Sequence, residues 1–302
     1  MFFNIAFEKA LRDLRSEILM QDKISIEHSY CKPNDVSNLP DEIIYADDAD
    51  FPCIDECKVN KIKQTSNPIL KKHSLNANDD KLEITKIFRG NENDEKVWRN
   101  TKKVGSLLGD KEDMKSRIAL AKGLKSQLEK IWPSKKVCQK QRINIFKSIP
   151  KMILTYNMST WGLTKTQEEE LDRAHRRMLR TVVGDRKMKN KLLYERCNEK
   201  VLSSEMREAR WRAFGHMLRL DREVPAQKAM GYYFDVPLNA KKFRGRKITT
   251  LPVCIDSDLK DAAKLKQLPV QQFANKHDLE QLRRLAADRE AWKALSKQII
   301  SA

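Results

Sequence analysis

Phe3, Ile5, Ala6, Phe7, Ala10, Leu11, Leu14 and Ile18 recur at helical spacing with charges between them, which predicts an amphipathic helix over residues 2–20. Its apolar face needs a partner to pack on. After a polar stretch containing Pro33 and Pro40, Ile43-Ile44-Tyr45 is β-prone, Asp47-Asp48 is turn-like, and Phe51 begins a second apolar run. That order predicts a hairpin with acids at its tip. Residues 64–73 read as a helix and Lys81–Phe88 as a short strand through Leu82, Ile84 and Ile87. Asn91–Glu95 reads as a polar surface loop, and Lys102–Leu108 as a further strand closed by Gly105 and Gly109.

From Asp110 onward the pattern is helical. Ile118, Ala121, Leu124, Leu128 and Ile131 form one stripe that ends before Pro133, and a further helix spans roughly residues 141–160. The next starts at a Thr166-x-x-Glu169 capping box, buries Leu171, Ala174, Met178 and Val182, and stops at Gly184. Its other face carries Arg173, Arg176, Arg177 and Arg180. A helix near 203–219 turns Met206, Ala209, Ala213, Phe214 and Met217 inward and Arg207, Arg210, Arg212 and Arg219 outward. Residues 235–257 read as irregular and contain the basic cluster Lys241-Lys242-Phe243-Arg244-Gly245-Arg246-Lys247. A last helix begins near Asp278. The expected division is 1–109, 110–234 and 235–302.

Charge sharpens this division. The 302 residues carry a formal net charge of +18, and after residue 100 lie 45 of the 60 Lys and Arg but only 23 of the 42 acids. A basic region of that size suits a polyanion, because each cation that neutralises a phosphate releases counterions. A merely soluble, lysine-rich surface is the plainer alternative. Six scattered cysteines lack the paired spacings of a zinc site, and Cys53-x-x-x-Cys57 stands without a second pair, so reduced thiols in an intracellular protein of the cytoplasm or nucleus are expected. No signal peptide and no membrane span are read from the apolar runs.

Two adjacent carboxylates at a hairpin tip form a hard-oxygen site suited to Mg²⁺, with Mn²⁺ as the substitute, and such sites serve phosphoryl transfer. A bare Asp-Asp pair is also ordinary turn composition. The neighbours distinguish the two. Tyr45-Ala46-Asp47-Asp48 resembles the tyrosine-x-aspartate-aspartate motif of reverse transcriptases, and its context is similar to the enzymes of non-LTR (LINE-type) retrotransposons. Phe3 to Leu11 looks like the end of the preceding palm motif, and Leu75 to Glu83 resembles an asparagine-rich approach to a lysine-threonine-glutamate motif. Lys103-Val104-Gly105-Ser106-Leu107-Leu108-Gly109 is similar to the turn that presents the primer end. Ile153-Leu154-Thr155-Tyr156 with Trp161, Arg176 to Arg180, Arg210 to His216, Arg244-Gly245-Arg246 and Asp288 to Trp292 continue the likeness in order.

The resemblance implies an α+β fold: a partial right-hand polymerase palm followed by a mainly α-helical thumb and C-terminal region. It implies Asp47 and Asp48 as catalytic metal ligands and Tyr45 and Lys81 as nucleotide contacts. Nucleic acid is assigned to Arg173, Arg176, Arg177, Arg180, Arg207, Arg210, Lys242, Arg244 and Arg246, with an RNA template, a DNA primer and deoxynucleoside triphosphates as partners. Leu82 stands where the family has threonine, and the family's first palm aspartate and fingers lie upstream of the matched residues. The expectation is therefore a polypeptide that does not polymerise DNA alone, the alternative being a non-catalytic nucleic-acid-binding protein. Phe243 either stacks on a base or anchors its loop. His175 and His216 read as hydrogen-bonded helix histidines, and the five tryptophans as core.

Overall fold

The computed structural model describes residues 2–22, 43–45, 48–53, 56–86, 98–222, 224, 226–227, 230–231 and 249–301. The chain divides into two compact units, Met1–Thr85 and Lys86–Ala302, and is mostly helical with few strands.

In the first unit, α1 (Phe2–Asp22) packs on α2 (Glu56–Lys72). Leu11 and Leu14 meet Ile69 there, with Phe7, Phe51 and Ile62 packed around them, so the apolar stripe of α1 has the partner its periodicity requires. Strands β1 (Ile43–Tyr45) and β2 (Asp48–Asp50) pair antiparallel, with Ile43 opposite Asp50 and Tyr45 opposite Asp48. The predicted hairpin is present. The predicted strand at Lys81–Phe88 is not: Asp79–Lys81 is a 3₁₀ turn and 82–86 form no regular element, while Ile87, Phe88 and the Asn91–Glu95 loop lie outside the described residues. Asn78 explains the turn. Its carbonyl accepts from Lys81 N at 3.0 Å and its side-chain oxygen from Asp80 N at 3.1 Å, a local alternative to strand pairing.

The second unit opens with β3 (Lys102–Lys103) and β4 (Ser106–Leu107), a tight hairpin rather than the expected single strand. Val104 and Gly105 both have positive φ, +47° and +80°, the geometry of a two-residue hairpin turn. This hairpin is built onto α3 (Asp110–Gln127): buried Asp113 accepts from Leu107 N at 3.0 Å, and Arg117 donates to Gly105 O and to Ser106 Oγ. Next, α4 (Gln139–Phe146) runs into a π-turn at Lys147–Lys151 and a short turn Met152–Leu154, where one long helix was expected. Pro150, which has no N–H to donate, lies in the π-turn.

Helix α5 (Lys165–Val183) begins one capping box earlier than predicted, at Thr164, whose hydroxyl accepts from Gln167 N while Gln167 Oε1 accepts from Thr164 N. It ends at Gly184 with φ +84°, a conformation glycine takes without strain. There follow α6 (Asn190–Cys197), α7 (Leu202–Arg219), α8 (Leu251–Ala263), α9 (Lys276–Ala287) and α10 (Arg289–Ile300). Helix α8 occupies part of the stretch read as irregular. Pro252 misled that reading, since in a first turn its missing N–H removes no bond. The single final helix is two, because Asp288 accepts from Glu290 N and Ala291 N and so starts a new one.

Two hydrophobic cores fill this unit. One runs from Met114 to Met206 and the other from Trp211 to Ile299. Helix α7 belongs to both, with Leu202 and Met206 in the first and Trp211, Phe214 and Leu218 in the second. Trp132, Trp161, Trp211 and Trp292 are buried as expected, whereas Trp98 is half-buried.

Candidate functional site

The hairpin β1–β2 brings Tyr45 and Asp48 opposite each other, with Ala46 and Asp47 between them outside the described residues. Asp48 is exposed, as are Ile43 and Ile44 on the partner strand. Hard carboxylate oxygens are the donors Mg²⁺ takes, and of the two expected ligands the described residues include Asp48. Among the described residues no group of three or more His, Cys, Asp or Glu is placed to hold a metal. Lys81 is exposed at the end of its 3₁₀ turn.

The arginines assigned to nucleic acid separate into three kinds. Arg173 and Arg177 are exposed on the outer face of α5. Arg176 and Arg180 are half-buried: Arg176 lies against Tyr194, and Arg180 donates from Nε to Met188 O at 3.2 Å and from Nη2 to Asn190 Oδ1 at 2.6 Å. The α7 pair is turned inward. Arg210 is 2% exposed, not outward as its helix position predicted. Its Nη1 donates to Asp258 Oδ2 at 3.3 Å, its Nη2 to Trp161 O at 3.2 Å, and Glu168 Oε1 lies 3.7 Å away. Arg207 faces Asp258 Oδ1 at 3.1 Å. A guanidinium so engaged is structural, and Arg210 is withdrawn from the nucleic-acid face. Lys242, Phe243, Arg244 and Arg246 lie outside the described residues.

Burial pushes the Asp258, Glu168 and Asp110 carboxyls above the usual range, against the opposing pull of Arg210. Trp211 Nε1 also donates to Asp258 Oδ2 at 3.0 Å, and Trp292 Nε1 to Trp211 O at 3.1 Å, so this network stitches α7, α8 and α10 together. Sequence reasoning missed it because Asp258 belongs to the helix that Pro252 concealed.

A second charged cluster lines a cleft of about 570 Å³ between the π-turn and α7. Lys147 reaches Glu199 at 3.2 Å, and Lys151 binds Glu199 and also Glu205, the latter at 2.9 Å. Although burial alone would lower it, these carboxylates hold the Lys151 ammonium above its ordinary value. Fully buried His175 sits 3.8 Å from Glu199, and burial pushes its imidazole down to about 4, so the ring is neutral and the approach is not an ion pair. Neither ring nitrogen has a hydrogen-bond partner, which corrects the expected hydrogen-bonded histidine. His216 is exposed.

Exposed cations elsewhere sort by company. On the last three helices, Lys260 pairs with Asp256 at 2.6 Å, Lys264 with Asp261 at 2.9 Å and Lys293 with Glu290 at 3.8 Å. On α5 and the connection to α6, Arg173, Arg177, Arg186, Lys187, Lys189 and Lys191 are exposed, and among the described residues none has an acid within ion-pairing distance. No described helix is long and apolar enough to cross a membrane. Compared with known protein families, curated proteins and solved structures, the chain matches none.

Proposed function

We propose that the chain is the palm-end and thumb portion of an RNA-directed DNA polymerase of the non-LTR retrotransposon kind, and that the polypeptide by itself grips a primer–template without extending it. The observation that carries this is the Tyr45-Ala46-Asp47-Asp48 motif on an antiparallel hairpin, with Asp48 exposed beside the turn. When bound, Mg²⁺ supplies Lewis-acid activation of a primer hydroxyl and neutralises a triphosphate. Asp47 and Asp48 would hold the ion, Tyr45 and Lys81 would contact the nucleotide, and the unpaired cations of α5 would hold phosphates. Two carboxylates are too few to fix two ions, so gripping and synthesis are separable.

The test uses the purified chain and a labelled DNA primer annealed to an RNA template. Affinity should fall about a thousandfold between 50 and 200 mM salt, since several phosphate contacts are lost together. Asp47→Ala/Asp48→Ala should leave that affinity unchanged, and primer extension with Mg²⁺ should be absent. Failure to bind at low salt refutes the proposal. Robust extension that disappears in Asp47→Ala refutes its second half.

A further inference from the structure

The connection between α5 and α6 is held more firmly than its polar composition requires. Met188 is buried in the first hydrophobic core and pins the middle of the loop from within. Its carbonyl accepts from Arg180 Nε at 3.2 Å, and one residue past Lys189 the Asn190 side chain accepts from Arg180 Nη2 at 2.6 Å. Asp185 Oδ1 accepts from Lys187 N at 2.9 Å, and Gly184, with φ +84°, turns the chain out of α5. Arg186, Lys187 and Lys189 stand between these fixings and Lys191 follows in the first turn of α6, all exposed, with Asp185 the single acid among them. A segment fixed at so many points keeps these four cations at the surface, and Arg173 and Arg177 continue the same charge along α5. Holding like charges together in this way is unfavourable without a polyanion to receive them.

We propose that the loop 185–191 is the principal phosphate-binding element of the chain, and that Arg180 is its positioning residue and not itself a phosphate ligand. The partner is the phosphate backbone of an RNA–DNA hybrid, so the inference rests on the function proposed above. Arg180 acts through geometry: its planar guanidinium spans a carbonyl and an amide oxygen at once, which the single ammonium of lysine does not do.

Charge-retaining and charge-removing variants separate these roles, read as the slope of log affinity against log salt with a labelled RNA–DNA hybrid. Each phosphate contact contributes about 0.9 to the slope. Arg186→Ala/Lys187→Ala/Lys189→Ala/Lys191→Ala should flatten it by about 3 to 4. Arg180→Lys keeps the charge yet should flatten it by about 2, through loss of loop order, and Asn190→Ala should do the same to a smaller extent with no change in charge. Trypsin should cleave at Arg186 and Lys187 faster in both of these variants than in the wild type. Circular dichroism separates misfolding of Arg180→Lys from loop release, and the surface changes at 186–191 leave every buried group in place. A wild-type slope in Arg180→Lys and Asn190→Ala overturns the positioning role. A wild-type slope in the quadruple variant overturns the loop while leaving the proposed function standing, whereas absence of hybrid binding by the wild type overturns both. Equal binding of the loop to anionic phosphatidylserine vesicles would assign it to a membrane surface instead and overturn the partner.

Discussion

Replacing Arg210 by alanine distinguishes a buried clasp from a surface phosphate ligand. Its side chain is 1% exposed and touches Asp258, Glu168 and Trp161 O, so the replacement strands two carboxylates that burial already disfavours and leaves a carbonyl unpaired. Removing one member of a buried ion pair costs roughly 3–5 kcal/mol. Arg207 and Trp211 Nε1 still face Asp258 after the change, which puts the expected loss near the lower end, about 3 kcal/mol. Arg207→Ala removes a side chain that is 34% exposed, and solvent screening reduces its cost to about 1 kcal/mol or less. Urea unfolding followed by circular dichroism measures both. The pH response supplies an independent sign. Asp258 and Glu168 have raised folded-state pKa values, so the folded chain binds more protons than the unfolded one, and stability from these groups is present at low pH and is lost as pH rises through them. Without Arg210 the carboxyls rise further, and Arg210→Ala should recover part of its deficit as pH is lowered toward the carboxyl range, more than the wild type gains. A loss below about 1 kcal/mol, combined with a fall of about 1 in the salt slope of hybrid binding, would refute the buried-clasp reasoning.

Three other changes test the packing around the proposed site. Gly215→Ala places a Cβ onto the indole nitrogen of Trp292 and 2.7 Å from its Cδ1, so it should cost about 2 kcal/mol of unfolding free energy despite the roughly 1 kcal/mol that alanine gains over glycine in a helix; a stabilised variant would refute it. Asp113→Ala removes the acceptor of both Leu107 N and Trp161 Nε1, each at 3.0 Å, and should speed hydrogen exchange at Leu107 by loosening the β3–β4 hairpin from α3, at a cost of about 2 kcal/mol. His175→Phe puts an apolar ring beside Phe146, whose ring stacks on the imidazole at 5.9 Å, and replaces two unpartnered buried nitrogens. Because the His175 pKa is depressed, its contribution is present above the unfolded value of 6.5 and is lost as pH falls toward about 4, so the phenylalanine variant should lose less stability over that interval in thermal melts.

Periodicity made the helices legible, and single residues misplaced their ends. The stripe on α5 names residues that the core buries, as do Ala10, Leu11 and Leu14 on α1, whereas on α7 only Met206 and Phe214 of the five named positions are buried, beside Leu202, Trp211 and Leu218. Pro252 was taken as a breaker because proline forbids a helix interior, and its first-turn position depends on Thr250 lying just before it in extended backbone. Asp288 was taken as part of a continuing helix although it caps a second one. The pairing of β1 with β2 was legible from β-prone Ile43-Ile44-Tyr45 and the turn-like residues after it. Arg210 was not: on a helical wheel it lies with Arg207, and only the arrival of Asp258, 48 residues later, makes burial tolerable there. Positions whose environment is set by distant carboxylates carry no local signature. The divided roles of Arg177 and Arg180, three residues apart on one helix, have the same origin.

That division limits how the basic excess is converted into affinity. A surplus concentrated after residue 100 would suggest phosphate contacts spread along the whole helical unit, but Lys147 and Lys151 are engaged by Glu199, Arg207 and Arg210 by Asp258, and Lys260, Lys264 and Lys293 by neighbouring acids. Counterion release requires cations that gain a phosphate without surrendering a protein carboxylate. Arg173, Arg177, Arg186, Lys187, Lys189 and Lys191 meet that condition, and six such contacts correspond to a salt slope of about −5. A slope of that size for hybrid binding, reduced by about 2 in Arg173→Ala/Arg177→Ala and unchanged in Lys260→Ala/Lys264→Ala, would tie the affinity to unpaired charge. Equal losses in the two double variants would show that net charge alone governs binding, and would remove the basis for assigning the polyanion to the α5–α6 face.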